Sequence, residues 1–197
     1  ATVMAEGRLI ATGSAKVANC PVTLPLKLPE VQPWGPGRPF LYDLELRLST
    51  GSGVDVITSY FGVRKIHIEG RKVFLNNEPF YLRTVLDQGY YPDGIYTAAT
   101  DEALKRDIEL SLAAGFNGAR LHQKVFEPRF LYWADKMGYI VWGEYPSWGC
   151  NAAHPAAAGS LIAEWMEVLE RDFNHPAIIG WCPLNETVCW DPASTAW

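Results

Sequence analysis

Residues 127–145 read EPRFLYWADKMGYIVWGEY. The spacing predicts a helix that stops at a glycine, with a short strand directly after it. Pro128 falls in the first helical turn, where its missing N–H costs nothing. Gly138 suits the stop, because it accepts a left-handed backbone. The run YIVWGEY is apolar apart from Glu144, as in a strand of a parallel sheet covered by helices.

The same unit recurs on both sides. Upstream, Thr100 is placed to cap a helix that has Asp101 and Glu102 in its first turn, where carboxylates favour the helix dipole. Leu104, Ile108 and Leu112 form its apolar stripe, Gly115 ends it, and FNGARLH is the strand that follows. Tyr81–Leu86 reads as a short apolar strand before that helix. Downstream, a helix from about Ser160 to Phe173 carries Leu161, Ile162, Trp165, Met166, Leu169 and Phe173 at helical spacing. After it comes NHPAIIGWCPLNET, Asn174–Thr187, with Ile178 and Ile179 as a core strand.

A β/α alternation of this kind fits a (β/α)8 barrel or an open doubly wound sheet. The second needs a ligand cue, and no Gly-rich phosphate loop follows any strand. Polar side chains instead gather at the C-terminal strand ends. These are Asp87 after the first strand, Arg120 and His122 after the second, Glu144 after the third, and Asn185 and Glu186 after the fourth. In a TIM barrel that face holds the active site. A full barrel takes about 250 residues, and residues 81–197 supply roughly half of one.

The chain changes character near residue 62. LYDLELRLS, Leu41–Ser49, alternates as a half-buried strand does, and ATVMAEGRLIATGSAKV alternates with breaks at glycine. PEVQPWGPGRP is too rich in Pro and Gly for a helix. This part reads as strands of a small β-sandwich. KIHIEG and KVFLNN then form a hairpin joined at Gly70-Arg71, with NNEP as a further turn. The expected division is therefore residues 1–62 and 63–197.

The 197 residues are 48% hydrophobic and 20% charged, with a net charge of −5. That composition supports a packed core. The basic residues do not cluster, which argues against nucleic acid or an anionic membrane as partner. No segment approaches the roughly 20 apolar residues that span a bilayer. No signal peptide is visible, and the compartment stays unknown. Cys20, Cys150, Cys182 and Cys189 form no CxxC pair, which makes a zinc or redox site improbable; a disulfide remains open. Eight Trp and nine Tyr supply flat faces that suit sugar rings, and cores as well.

Glu186 is either a solvated carboxylate, one arm of an ion pair, or a catalytic acid. Asn185 beside it favours chemistry. An amide there can bond a sugar hydroxyl while the carboxyl meets a glycosidic oxygen. Glycoside hydrolysis needs one protonated carboxyl to assist the leaving group and a second carboxylate across the bond.

NHPAIIGWCPLNE resembles the acid/base signature of glycoside hydrolase family 2, which includes β-galactosidases, β-glucuronidases and β-mannosidases. WGPGRPFLYDLELRL resembles a segment of the immunoglobulin-like domain that precedes the barrel in that family. YFGVRKIHIEGRKVFLNNEPFYLRTV resembles its domain junction, GFNGARLH its second barrel strand and MGYIVWGEYPSWG its third. The resemblance implies an α/β fold: the first half of a (β/α)8 TIM barrel, preceded by part of an immunoglobulin-like β-sandwich. It implies a retaining exo-β-glycosidase with Glu186 as general acid/base and Asn185 as a sugar ligand. The nucleophile would be a Glu on a seventh strand, absent from this stretch, so the chain alone is expected to be inactive. The alternative is a non-catalytic half barrel that binds carbohydrate or a partner.

Arg120 and Glu144 also match family positions, as substrate contacts or as an ion pair with each other. His122 departs from the pattern, standing two residues after Arg120 rather than three; it is a sugar ligand or a satisfied buried histidine. Asp87 and Gln88 are candidates for sugar hydroxyls, with Tyr90 or Tyr91 lining the pocket and Asp93-Gly94 a turn. Trp148 stacks on a sugar ring or fills the core. The stretch PSWGC lacks the Glu and His of the magnesium-dependent members, so neither metal nor cofactor is expected. A metal hydrolase built on His122, Glu144 and His175 is a weaker option, since His175 sits in the NHP turn. The partner expected is a β-glycoside, with homo-oligomers possible through exposed barrel edges.

Overall fold

The computed structural model describes residues 1–18, 21–148 and 154–186. Strands β1 (Thr2–Ala5), β2 (Arg8–Thr12), β3 (Tyr42–Thr50) and β4 (Gly53–Phe61) form one antiparallel sheet in the order β2-β1-β3-β4. β3 and β4 pair without a slip from Tyr42 opposite Phe61 to Thr50 opposite Gly53. Val3, Ala5 and Tyr42 are its buried centre, and Tyr42 stacks on Phe61 at 5.1 Å.

Of the sandwich expected from sequence, these four strands supply one sheet. Among the described residues this part has a single sheet, and the Pro-rich chain before β3 covers one end of it through Leu26, Leu28 and Phe40. Farther along the same face, Leu46, Leu48 and Ile57 stay 40, 49 and 56% exposed.

β5 (Ile66–Glu69), β6 (Lys72–Leu75) and β7 (Glu78–Phe80) make the expected hairpin and extend it by one strand. Asn76 and Asn77 both take positive φ, 53° and 69°, in the β6–β7 turn. Asn tolerates that region better than most residues.

The remaining strands are parallel: β8 (Thr84–Asp87), β9 (Gly118–Leu121), β10 (Ile140–Glu144) and β11 (Ile178–Cys182). Helices α1 (Asp101–Ala113), α2 (Pro128–Met137) and α3 (Pro155–Asp172) connect them. The spatial order β8-β9-β10-β11 is the chain order. With right-handed crossovers, a sheet wound in one direction puts its helices on one face. The burial agrees. Ala119, Leu121 and Val141 are buried with Leu104 and Ile108 of α1 and Phe130 and Leu131 of α2. On the opposite face Leu86 and Trp142 are 54 and 41% exposed. A doubly wound sheet would cover both faces.

Two boundaries differ from expectation. β8 starts at Thr84 rather than Tyr81, because Asn117 takes over the pairing ahead of it. Its amide donates to Tyr81 O at 2.8 Å and its Oδ1 accepts from Arg83 N at 2.8 Å. α3 starts at Pro155 rather than Ser160, with His154 as its cap, and ends at Asp172. Leu161 is buried, while Ile162 and Met166 of the helix and Phe173 at its C-cap are 46, 58 and 62% exposed.

The antiparallel part is bolted to the parallel part around Asp135, a fully buried carboxylate on α2. Tyr60 Oη donates to Asp135 Oδ2 at 2.8 Å, Ala177 N donates to Oδ1 at 2.9 Å, and His175 Nδ1 meets Oδ2 at 2.6 Å. Trp34 Nε1 donates to Asp135 O at 2.7 Å. Arg64 donates to the carbonyls of Pro176 and Ile178. Five of the described side chains thereby position the turn that launches β11.

Candidate functional site at the strand ends

The C-terminal ends of β9, β10 and β11 converge on Glu144. Its side chain has no exposed surface. Arg120 Nε donates to Oε2 at 2.6 Å, His122 Nδ1 donates to Oε1 at 2.8 Å, and Gln123 N donates to Oε1 at 3.1 Å. Burial alone pushes this carboxyl up, but Arg120, the Gln123 amide and His122 outweigh it and hold it below the usual carboxylate range. Parallel pairing sets the geometry. β9 and β10 are in register from Gly118 opposite Ile140 to Arg120 opposite Trp142, so Arg120 and Glu144 share one face two residues apart along the sheet.

Arg120 reaches across the pair. Its Nη2 donates to Asn185 Oδ1, while the Asn185 backbone N donates to Ser147 Oγ at 3.1 Å. Ser147 is buried. Asn185 is therefore fixed through both side chain and main chain. Tyr145 N donates to Cys182 O at 3.0 Å, which continues the β10–β11 pairing to the threshold of this clamp. Glu186 follows, exposed, with φ +50°. That is a left-handed conformation uncommon for a residue with a Cβ, and such conformations concentrate at functional sites. Gln123 is held likewise at φ +49°.

Beside this cluster lies a cavity of about 420 Å3 lined by Gln88, Tyr90, Tyr96, His122, Gln123, Pro146 and Trp148. Trp148 and Tyr90 are 81 and 62% exposed, so neither is a core residue. In the neutral imidazole, donation from His122 Nδ1 to the Glu144 carboxylate leaves the lone pair on the other ring nitrogen. Nε2 is then the acceptor, 3.5 Å from Gln123 Nε2. The lining is aromatic and amide, with an imidazole acceptor.

Arg120, Glu144, Asn185 and His122 are thus brought together, with Arg120–Glu144 an ion pair. His122 and Trp148 face the cavity. Asp87 does not. Its Oδ1 accepts from Gly89 N at 2.8 Å and so closes the start of the loop after β8; burial raises its pKa and the Gly89 amide opposes that. Of the two tyrosines, Tyr90 lines the cavity and Tyr91 packs against the core. Asp93 and Gly94 are in a turn. His175 is separated from His122 and Glu144, being spent on Asp135 at the start of β11. Among the described residues no three His, Cys, Asp or Glu side chains converge as metal ligands. Cys182 is a free thiol, raised in pKa by burial and then by the Glu144 charge. Cys20, Cys150 and Cys189 lie outside the described residues. No described helix is long and apolar enough to cross a membrane.

Sequence reasoning missed Ser147, Gln123 and Tyr96. Ser147 lies in the PSWGC stretch, where a lone serine carries no spacing that distinguishes it from a loop residue. Gln123 acts through its backbone, which leaves no signature in side-chain chemistry.

Comparison with known proteins places these features in a wider group. The family description "Glycosyl hydrolases family 2" matches residues 2–64. A β-galactosidase of Pseudoalteromonas haloplanktis is 29% identical over 163 residues, covering 78% of this chain and 16% of that protein. A β-glucuronidase of Sus scrofa is 26% identical over 194 residues, covering 92% of this chain and 28% of that protein. Among solved structures, β-glucuronidase from Ruminococcus gnavus in complex with D-glucuronic acid superposes with a TM-score of 0.84 at 26% identity, over 98% of this chain and 33% of that one. The chain spans about a third or less of the length of these relatives.

Proposed function

We propose that this chain, which is similar to the family 2 glycosyl hydrolases, carries the acid/base half of a retaining exo-β-glycosidase site. The observation that supports this best is the clamp on Asn185. Ser147 and Arg120 fix that residue at the end of a parallel strand and present Glu186 beyond it. In this reading residues 1–62 belong to an immunoglobulin-like sandwich and residues 63–197 to the first half of a TIM barrel. The unidirectional winding favours a barrel, and the exposed row of Leu86 and Trp142 is a surface that further strands would enclose.

Glu186 protonates the leaving oxygen, then as carboxylate activates the water that releases the sugar. Asn185 bonds the hydroxyl beside the reacting carbon. His122 Nε2 accepts from a sugar hydroxyl, and Trp148 supplies a flat face to the ring. Arg120 and Glu144 act on substrate through Asn185 and His122, and Asp87 acts through the loop it closes. The nucleophile is assigned to sequence outside these 197 residues. Glu144 is sealed under its three donors, and Asp87 turns to Gly89. A retaining mechanism sets the two carboxyl groups roughly 5–5.5 Å apart. The substrate is a terminal β-glycoside; the relatives include galactosidases and glucuronidases, so the sugar is not assigned. Among the described residues the outer edges of β8 and β11 carry no further strand, which leaves them open to added strands or to a second copy.

The test is Glu186→Gln in the full-length protein, on a β-linked disaccharide whose poor leaving group needs the proton. General acid assistance contributes about 10²–10⁴-fold, so kcat/KM should fall by that order. A variant that hydrolyses the disaccharide as fast as the parent rules out the assignment.

A further inference from the structure

Lys124 is 6% exposed, yet its hydrogen-bond acceptors are carbonyl oxygens rather than carboxylates. Nζ donates to Gly89 O at 2.8 Å and to Tyr96 O at 2.7 Å. It also lies 4.3 Å from the centre of the Tyr96 ring and 5.0 Å from that of Phe126, within cation–π range. Burying an ammonium without a carboxylate bonded to it is expensive, so such sites are kept for what they position. Burial lowers its pKa, and the charges of Glu127 and Asp87 oppose that shift.

What Lys124 holds is the loop after β8. Gly89 and Tyr96 are the two ends of that loop, and Gln88, Tyr90 and Tyr96 are its contribution to the cavity wall. The loop is folded tightly. Tyr91 and Ile95 exchange backbone hydrogen bonds at 2.8 and 2.9 Å. Ile95 stands at φ +56°, an outlier for a β-branched residue, although the residue is 70% exposed. Gly89 stands at φ +64°, and a Cβ there would lie 2.8 Å from Lys124 Nζ. A strained loop with an exposed tip persists only if its ends are over-determined.

We infer that Lys124 is a positioning residue for substrate recognition, a strap across the two ends of loop 88–97 that sets Tyr90 and Tyr96 as the wall against which the glycoside packs. The recognition part rests on the glycosidase reading above; the strap itself does not.

Two readouts separate these parts. In the present chain, Lys124→Met should lower hydrogen-exchange protection of the Tyr91 and Ile95 amides by about ten-fold or more, as expected for loss of charge-assisted bonds. In the full-length protein the same change should raise KM for a β-glycoside about ten-fold and leave kcat within about two-fold, the mark of lost uniform binding. Gly89→Ala reaches the same contact from the other side and should reproduce both effects, which covers the case in which Lys124→Met fails to fold. Unchanged exchange overturns the strap. Loosened exchange with an unchanged KM, or a fall in kcat alone, overturns the recognition role. A full-length parent without glycosidase activity overturns the functional reading and the recognition role together, while exchange still decides the strap.

Discussion

Replacing Glu144 by Gln tests the site where its charges are most deeply placed. The carboxylate meets donors on both oxygens, Arg120 Nε on one and His122 Nδ1 with Gln123 N on the other. Glutamine keeps the shape, but its NH2 must face one set of donors with a donor of its own. Removing one partner of a buried ion pair costs about 3–5 kcal/mol. The Arg120 side chain is 35% exposed and regains hydration, which places the expected loss at the lower end, about 3 kcal/mol. At about 2–4 °C per kcal/mol for a chain of this size, the melting temperature should fall by about 6–12 °C. The pH dependence has a definite sign. The folded pKa of Glu144 is depressed, so its stabilisation is present above the ordinary carboxylate value and is lost as pH falls through the folded value. The gap between parent and variant should be full at neutral pH and close only in acid, below about pH 4.3. Urea unfolding across that range measures it. The Arg120→Met background supplies a coupling, since there the Glu144→Gln penalty should shrink. A loss under about 0.5 kcal/mol at neutral pH, or a gap that does not change with pH, refutes the reasoning.

Ser147→Ala removes the acceptor for the Asn185 N–H. In the full-length protein it should lower kcat on disaccharides about ten-fold and on nitrophenyl glycosides much less, since only poor leaving groups need a well-aimed acid; equal losses on both substrates count against it. Gly62→Ala would put a Cβ 2.7 Å from Pro176 Cγ and 3.2 Å from Leu41 Cδ2. It should cost about 1–3 kcal/mol in urea unfolding, and a neutral outcome would show that the junction yields.

Features written in local chemistry were legible from sequence. Thr100 caps α1 by accepting from Ala103 N, and Gly138 ends α2 in a left-handed conformation. The parallel strands were legible because each is a short apolar run ending in a polar group. The start of β8 was not, because Asn117, distant in sequence, substitutes for a neighbouring strand there. The early start of α3 was hidden in AHPAAAGS, whose alanines and glycine give no periodic stripe. Of the site, Arg120, Glu144 and His122 were found as a set. The bond of Asp87 to Gly89 N was not legible, because a strand-end carboxylate looks the same whether it faces ligand or its own loop. Asp135 did leave a trace: it falls four residues after Leu131, on the buried stripe of α2, where an acid requires partners. Those partners, Tyr60, His175 and Ala177, come from two distant segments, which no pattern within the helix could name.

The knot around Asp135 bears on how far these parts are modular. The sequence changes character near residue 62, and the first antiparallel sheet ends at Phe61. The energetics do not divide there. A chain starting after residue 62 would lose Tyr60 and Trp34, leaving Asp135 one side-chain donor short and the α2 carbonyl without its indole. The N-terminal sheet is in this sense a wall of the turn that aims β11, and exchanging it between relatives would carry a cost felt at Asn185. Its strands and that turn should therefore vary together, as one inherited unit.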